Sequence, residues 1–587
     1  MKKLLSCALL CLASAGYADN FVVQNGETVN TTQTLTDPGD QGLIEEEGVI
    51  ATAAGPGVIM LAANQTVLNK GTITTTGAGA NGDGINNVGN ANAVITNSGI
   101  IATQGTNSHG IFNSGGANAL ITNSGTITTL GLTAFGIANT GANALITNRG
   151  AISTLGETAY GIYNAGADAL ITNSGTISTL GETAHGIRSI GANVHIINSG
   201  TIHSAQGDAL QLTNVNPTLT LLRGSILQGP VNVTQPLNLN VETGLNLALV
   251  LNPGQTFNAL GIDAPFVRVG NTVVVIDPTG LASQADILAD LSDTILGGIY
   301  RNRIGFPCCC NNACGLWVQA LGSYRERNAQ ESIVGYHNWQ GGFLVGYTMP
   351  ALCGDIGLFG GAAFGQAVVD QTTQKNDISN YFAGLSYEHL FCNSFVGAAL
   401  VMGYTHFDND RYVMYNLAPN GVQKAHSKTR GFFISPELTY AQQLPIWCYK
   451  PTLSTIVRYA GLFLGDYSEE GSIANLSVKD RDIHLLTLRG ELGLPFSSSS
   501  CGWCWSVEPY AGVIGRFQVA GKRVDAELFG QDLSFDPGGP RNLAAFLVGA
   551  RGTQQLGCLD FFLNIEASFD HYKSSRILAE GGVGFAF

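Results

Sequence analysis

From Cys314 to Phe587 the sequence alternates with a period of two, and the polarity of that alternation constrains the fold more than any other feature. Phe561, Leu563, Ile565, Ala567 and Phe569 alternate with Phe562, Asn564, Glu566, Ser568 and Asp570. Leu486, Leu488, Leu492 and Leu494 alternate with Thr487, Arg489, Glu491 and Gly493. Tyr381, Ala383, Leu385 and Tyr387 alternate with Asn380, Phe382, Ser386 and Glu388. A period of two is the mark of a strand with two unlike faces. Apolar residues pointing out, with Arg, Glu and Asn pointing in, invert a soluble sandwich and match a lipid-facing barrel.

Twelve strands are expected, beginning near Trp317, Gly341, Asp355, Ile378, Phe395, Arg430, Pro451, Asp482, Trp505, Leu543, Asp560 and Ile577. The connections Pro350–Gly354, Phe391–Ser394, Leu444–Lys450, Ser497–Trp503 and Gly557–Leu559 are mostly tight. Those at Arg325–Tyr336, Phe407–Lys428, Asp466–Arg481 and Gly521–Arg541 are longer and more charged. Short turns at one rim and long loops at the other are expected of a membrane barrel. The last segment, Arg576–Phe587, places Ile577, Ala579, Gly581, Val583, Phe585 and Phe587 on one face, with Leu578 the exception on the other. Taken alone it fits a sandwich edge and a barrel seam equally. The inverted polarity and the alternating loop lengths favour the seam, where closure leaves no exposed edge.

The first residues read as a secretory signal peptide over 1–18: Lys2 and Lys3, an apolar run Leu4–Leu12, then small residues to Ala18. Cys11 lacks the small neighbours of a lipoprotein site. No later run of eighteen apolar residues offers a transmembrane helix. With 12% charged residues and a net charge of -14, nucleic-acid binding is not expected.

Residues 19–275 read as a parallel β-solenoid, with clear repeats over 69–214. Asn97-Ser98-Gly99, Asn123-Ser124-Gly125, Asn148-Arg149-Gly150, Asn173-Ser174-Gly175 and Asn198-Ser199-Gly200 recur every 25 or 26 residues. Each unit holds three short β-type runs that cannot bury their apolar residues until copies stack. Leu120, Leu145 and Leu170, or Ile127, Ile152 and Ile177, are the expected inward columns, with Asn stacked in amide ladders at a corner. At about 4.8 Å per coil the clear repeats span on the order of 30 Å. Asp83, His109, Phe135, Tyr160, His185 and Asp208 share one repeat position and are expected as a variable outward column. His109 and His185 would lie three coils apart, about 14 Å, too far to share a metal. No G-x-S-x-G elbow and no converging polar cluster point to catalysis.

Residues 281–304 switch to helical spacing, with Ile287, Leu288, Leu291, Ile295, Leu296 and Ile299 on one side and Asp286, Asp290 and Asp293 on others. Acids early and Arg301 and Arg303 late suit the helix dipole. The segment fits either an amphipathic linker on a soluble core or a helix threaded through a barrel lumen. Gly297-Gly298 would allow a close approach or a kink.

With these parts in order, the chain resembles the type V secretion autotransporters: signal peptide, β-solenoid passenger, linker helix and twelve-stranded translocator barrel over 315–587. The resemblance is strongest from Val273 to the end, including VVVIDPTGLASQADILADLSD, GLWVQALGSYRER and GFLVGYTMP. It implies an outer-membrane barrel inserted by the cell's assembly machinery, with the passenger carried to the cell surface. Glu580, Gly582, Phe585 and Phe587 are similar to the family's terminal assembly signal. Some members cut themselves at an Asn-Asn pair in the lumen helix. None lies between Leu281 and Arg303, so an attached passenger is expected.

If the first strand starts in the periplasm, as the family implies, Cys353, Cys392, Cys448, Cys501, Cys504 and Cys558 sit in or beside the short turns. Cys308, Cys309, Cys310 and Cys314 precede the first strand on the same side. The ten would form a periplasmic rim, read as disulfides within it or to other envelope proteins. A zinc cluster of Cys310, Cys314, Cys501 and Cys504, a redox pair Cys501/Cys504, and free thiols are the competing readings. The family of cysteine-rich polymorphic membrane proteins offers only a partial match, at Gly115-Gly116-Ala117-Asn118. The functional expectation is a non-enzymatic passenger, without cofactor, serving adhesion to a host-cell receptor or self-association. A secreted hydrolase or a cysteine-cross-linked envelope protein is the alternative.

Overall fold

The computed structural model describes residues 20–586 apart from 78–81, 301–314, 331–332, 352–353, 392, 447–449 and 501–502. The signal peptide and Phe587 lie outside the described residues, as do Arg301, Arg303 and Cys308, Cys309, Cys310, Cys314, Cys353, Cys392, Cys448 and Cys501. The chain divides into two units, Met1–Val275 with Val413–Gln423, and Ile276–Tyr412 with Lys424–Phe587.

The first unit is a parallel solenoid of about 10 turns, built from sheets of 11, 9 and 9 strands. Pairing is in register from coil to coil, for example Leu120 opposite Leu145 and Ile127 opposite Ile152. Coils of regular pairing extend well beyond the clear repeats, from Phe21 to Ile262. The reason they are hard to see in sequence is their unequal length. Asn69 and Asn97 are neighbours at a separation of 28 residues, whereas Thr220 and Asn240 are neighbours at 20.

Ile127, Ile152 and Ile177 are inward and buried, as their pattern predicts. Leu120, Leu145 and Leu170 are not: Leu120 and Leu145 are 37% and 38% exposed and Leu170 is half-buried. Their strands alternate about Ala119, Ala144 and Ala169 and about Ile121, Ile146 and Ile171, all buried, which puts the leucines on the outer face. A one-residue shift in reading the pleat exchanges the faces. Two buried amide ladders run along the core. Asn97 Nδ2 donates to Asn123 Oδ1 and Asn123 Nδ2 to Asn148 Oδ1, each at 2.8 Å. Asn113 Nδ2 donates to Asn139 Oδ1 at 2.6 Å in the second. The left-handed backbone belongs to a separate column, Asn92, Asn118, Asn143, Asp168 and Asn193.

In the second unit, α1 (Thr279–Tyr300) precedes the strands β1 (Gly315–Arg327), β2 (Tyr336–Ala351), β3 (Gly354–Val369), β4 (Gln374–Phe391), β5 (Ser394–Tyr415) and β6 (Val422–Gln443). These are followed by β7 (Thr452–Leu464), β8 (Arg481–Gly493), β9 (Trp503–Ala520), β10 (Asn542–Leu556), β11 (Leu559–Asp570) and β12 (Ser574–Ala586). The twelve form a closed antiparallel barrel in which β12 pairs with β1. Among the described residues no helix is long and apolar enough to cross a membrane; the strands carry the apolar surface. Leu438, Val513, Phe546, Leu563, Ile565, Phe569 and Ile577 all point outward and are half exposed or more.

Three loop expectations change. β5 and β6 run on as strands of 22 residues each, so Phe407–Lys428 is mostly extended and turns only at 416–421. The connections around 466–481 and 521–541 carry short strands, Tyr467–Ser468, Leu476–Val478, Val524–Leu528 and Gln531–Phe535, joined as one four-stranded sheet. Ser497–Trp503 is not a bare turn, because Phe496–Ser500 pairs with the start of β9.

Candidate functional site: a helix held in the barrel lumen

Helix α1 starts at an aspartate–proline turn. Asp277 Oδ1 accepts the backbone N–H of Thr279 at 3.0 Å, satisfying a donor that the first helical turn leaves free. Gln374 of β4 donates from Nε2 to the Asp277 carbonyl and to Oδ2, both at 2.8 Å. Gly280 N in turn donates to Gln374 Oε1 at 3.1 Å. Arg481 of β8 donates to the Leu281 carbonyl at 3.0 Å and to Gln284 Oε1 at 2.9 Å. The first turn of the helix is thereby tied to two separate parts of the wall, β4 and β8.

Farther along, the helix has two unlike sides, and so does the wall. Ile287, Leu288, Leu291, Ile295 and Leu296 pack in one cluster with Leu344, Phe359, Ile378, Phe382, Phe407 and Phe433. The lumen is therefore apolar over much of β2–β6, where the sequence pattern predicts an inward face of Arg, Glu and Asn. Leu321 of β1, Leu462 and Leu464 of β7 and Ile483 and Leu485 of β8 join the same cluster, while Arg, Glu and Asn line the rest of the wall at Arg325, Arg458, Arg489, Glu491, Glu508, Arg551, Asn564 and Glu566. The helix fills the apolar part of the lumen, and its apolar stripe requires an apolar wall.

The other stripe is acidic. Asp286, Asp290 and Asp293, at helical spacing i, i+4 and i+7, lie on one side and are buried. Asp286 takes Arg327 Nε at 2.7 Å and also pairs with Arg516 and Tyr336. Asp290 takes Arg325 Nε at 2.8 Å and Asn338 Nδ2 at 3.2 Å. Asp293 pairs with Arg458 Nη1 at 2.9 Å and with Arg576. The acids thus serve wall arginines and not the helix dipole, since the first turn holds no acid and the last described turn no base. Gly298 sits against Gln319 of β1, where a Cβ would lie 1.8 Å from Nε2. The glycine permits that approach.

Of the expected assembly residues, Glu580 is buried and accepts from Asn564 Nδ2 at 3.2 Å, and Phe585 is 39% exposed on the outer face. At Gly582 a Cβ would meet the Val318 carbonyl of β1 at 2.3 Å. Cys558 is an exposed free thiol in the β10–β11 turn, and the backbone of Cys504 lies in β9, paired with Gln555.

In the solenoid, the column expected to be outward is largely covered. Asp83 and Tyr160 are buried. His109, Phe135, Tyr160 and His185 stack at ring separations of 4.8, 4.8 and 5.1 Å. Phe135 and Tyr160 therefore fill the space between the two histidines. His109 Nδ1 accepts Phe135 N–H at 3.0 Å, and Asp83 Oδ1 accepts the backbone N–H of His109 at 2.8 Å, not a ring nitrogen. Ser108 Oγ accepts Gly82 N–H at 3.0 Å. The local pattern could have been found from Gly82 and Gly110, which let neighbouring coils approach.

A family model, the autotransporter beta-domain, matches residues 316–565. The C-terminal region is an autotransporter β-domain. The translocator domain of autotransporter NalP from Neisseria meningitidis is similar at 13% identity and TM-score 0.42, covering 53% of this chain and 100% of that one. The beta domain of the Bordetella autotransporter BrkA gives 14% and 0.36, with 47% and 100% covered. The transport unit of autotransporter AIDA-I from Escherichia coli gives 13% and 0.35, with 53% and 99% covered. A search of curated proteins found no match. An autotransporter β-domain with this outward apolar surface places the protein in the outer membrane, as a type V secretion protein whose passenger is displayed at the cell surface.

Proposed function

We propose that the passenger is a non-enzymatic contact surface serving adhesion or self-association, and that it stays attached to its barrel. The observation that carries this reading is a set of outward apolar columns on a solenoid held rigid by stacked backbone and amide ladders. Leu130, Leu155 and Leu180 occupy equivalent positions in successive coils, and each is close to half exposed (47%, 46% and 47%). Their backbone N–H groups continue the inter-coil ladder, bonding Thr103, Thr129 and Thr154 carbonyls at 2.9, 3.0 and 3.0 Å. Leu132 is also exposed, two residues beyond Leu130, and Leu120 and Leu145 form a second outward column on another sheet. An aligned column of exposed apolar residues marks a contact surface more often than scattered single residues do.

The test is aggregation of bacteria expressing the full chain, compared with a Leu130→Asp/Leu155→Asp/Leu180→Asp variant and with a deletion of 69–214. Adhesion to cultured cells is measured in parallel. Both activities unchanged in the triple variant, at equal surface level, would sink the reading. Attachment is supported by the lack of an Asn-Asn pair in α1, and is checked by finding passenger epitopes in the cell fraction and not in the medium.

A second reading, an envelope protein cross-linked through thiols, is favoured by the exposed Cys558 alone. Non-reducing electrophoresis with a reduced control separates it: a ladder that disappears in Cys558→Ser supports it.

A further inference from the structure

β1 and β12 pair in antiparallel register from Gly315 opposite Ala586 to Arg327 opposite Ser574. In that register Arg325 is the direct partner of Arg576. Both side chains are buried, at 7% and 4% exposure. Like charges directly opposite each other destabilise a strand pair, and the cost rises where water is scarce. The neighbouring inward residues of the two strands, Ser323, Arg327, Ser574 and Leu578, supply no negative charge. Ser574 Oγ accepts from Arg325 Nη1 at 3.3 Å, which is neutral.

The missing charge comes from α1. Asp290 Oδ1 lies 3.2 Å from Arg576 Nε and also takes Arg325 Nη2, while Oδ2 takes Arg325 Nε at 2.8 Å. One carboxylate is therefore shared between the first and the last strand. Asp293 binds the other end of Arg576. We propose that α1 is the latch of the barrel seam. Without Asp290, Arg325 and Arg576 hold the loop-side ends of β1 and β12 apart, so the seam closes fully only when the helix occupies the lumen. Arg325 and Arg576 act as positioning residues: their repulsion withholds closure and Asp290 releases it.

The test is hydrogen exchange of the full-length protein purified from outer membranes, read on peptides covering 318–327 and 574–581, with 354–369 as internal reference. In Asp290→Ala the two seam peptides exchange at least tenfold faster while the reference is unchanged. Adding Arg576→Gln to Asp290→Ala returns the seam to within about twofold of the parent, because a neutral residue no longer needs the carboxylate. Arg576→Gln alone keeps a protected seam. If Asp290→Ala yields no heat-modifiable barrel, recovery of that species in the double variant supports the latch and its absence overturns it. Equal loosening of seam and reference, no loosening, or loosening that Arg576→Gln does not reverse also overturns it.

Discussion

Asp286 in α1 accepts the Nε–H of Arg327 in β1 at 2.7 Å, both groups buried. The same carboxylate serves Arg516 of β9, so one helix residue joins seam strand β1 to the wall on the other side of the seam. Removing one partner of a buried ion pair leaves the other uncompensated, at a cost of roughly 3–5 kcal/mol. Asp286→Ala is therefore expected to lower the temperature at which the folded barrel loses its fast migration in detergent gels. Asp286→Glu should recover part of the loss.

The interior amide ladders can be cut one rung at a time. Asn123→Ala removes the acceptor of Asn97 Nδ2 and the donor to Asn148 Oδ1. Asn97 Nδ2 keeps only its longer contacts to the Gly99 and Thr126 carbonyls, at 3.3 and 3.4 Å, while Asn148 Oδ1 loses its donor, and a buried group left unmatched costs about 1–3 kcal/mol. Surface protease should cut the passenger of this variant well before the parent, with no change in barrel assembly. The exposed left-handed Asn143→Gly serves as contrast, since glycine accepts that backbone freely and its effect should be small.

What the sequence revealed and what it hid follow from the same physics. Strand periodicity survives in the barrel because lipid and lumen impose opposite polarities on alternate residues, so Ile565 and Glu566 are legible one by one. The helix acids were visible as residues but not in their role, because Asp290 and Arg576 are brought together only by closure of the sheet. Leu120 and Ile121 are both apolar neighbours, and no polarity marks which one faces in; only the strand register decides. The stacked column of His109, Phe135 and Tyr160 varies in sequence because ring stacking accepts any planar side chain. Hydropathy alone likewise does not separate lipid-facing from helix-facing aromatics: Phe343 points out and Phe359 in.

Gly582 is the tightest point of the seam described. A Cβ there would fall 2.3 Å from the Val318 carbonyl of β1 and 2.5 Å from Phe562 Cζ, distances that real atoms do not occupy. Backbone on the opposite strand cannot yield as a side chain does. Gly582→Val is expected to reduce the amount of heat-modifiable barrel in the outer membrane several-fold. Gly581→Ala, whose added atom would find its nearest neighbours at 3.4 Å, should assemble normally. Equal outer-membrane levels for the two variants would refute the seam contact as the cause.

The solenoid carries a pH dependence with a definite sign. Burial pushes the His109 imidazole down to about 4, and burial with the nearby Arg188 charge does the same for His185. Burial also lowers His195. For a base depressed in the folded state, the stabilisation is complete above its unfolded value near 6.5 and is lost as pH falls toward 4. Burial raises Asp83 to about 6 and raises Asp208, and these act in the opposite sense: their contribution is complete below the ordinary carboxylate value of 3.8 and is lost as pH rises through the folded value. The two deeply depressed histidines outweigh Asp83, and the passenger is expected to lose net stability on acidification from about 6.5 to about 4. Protease resistance of the displayed passenger should therefore fall across that window. His109→Phe keeps the ring stack with Phe135 and removes one titrating group, so it should flatten the profile. Asp83→Asn removes an opposing group and should steepen it. A profile that is flat in the parent, or that moves the same way in both variants, would show that this column does not set the acid response.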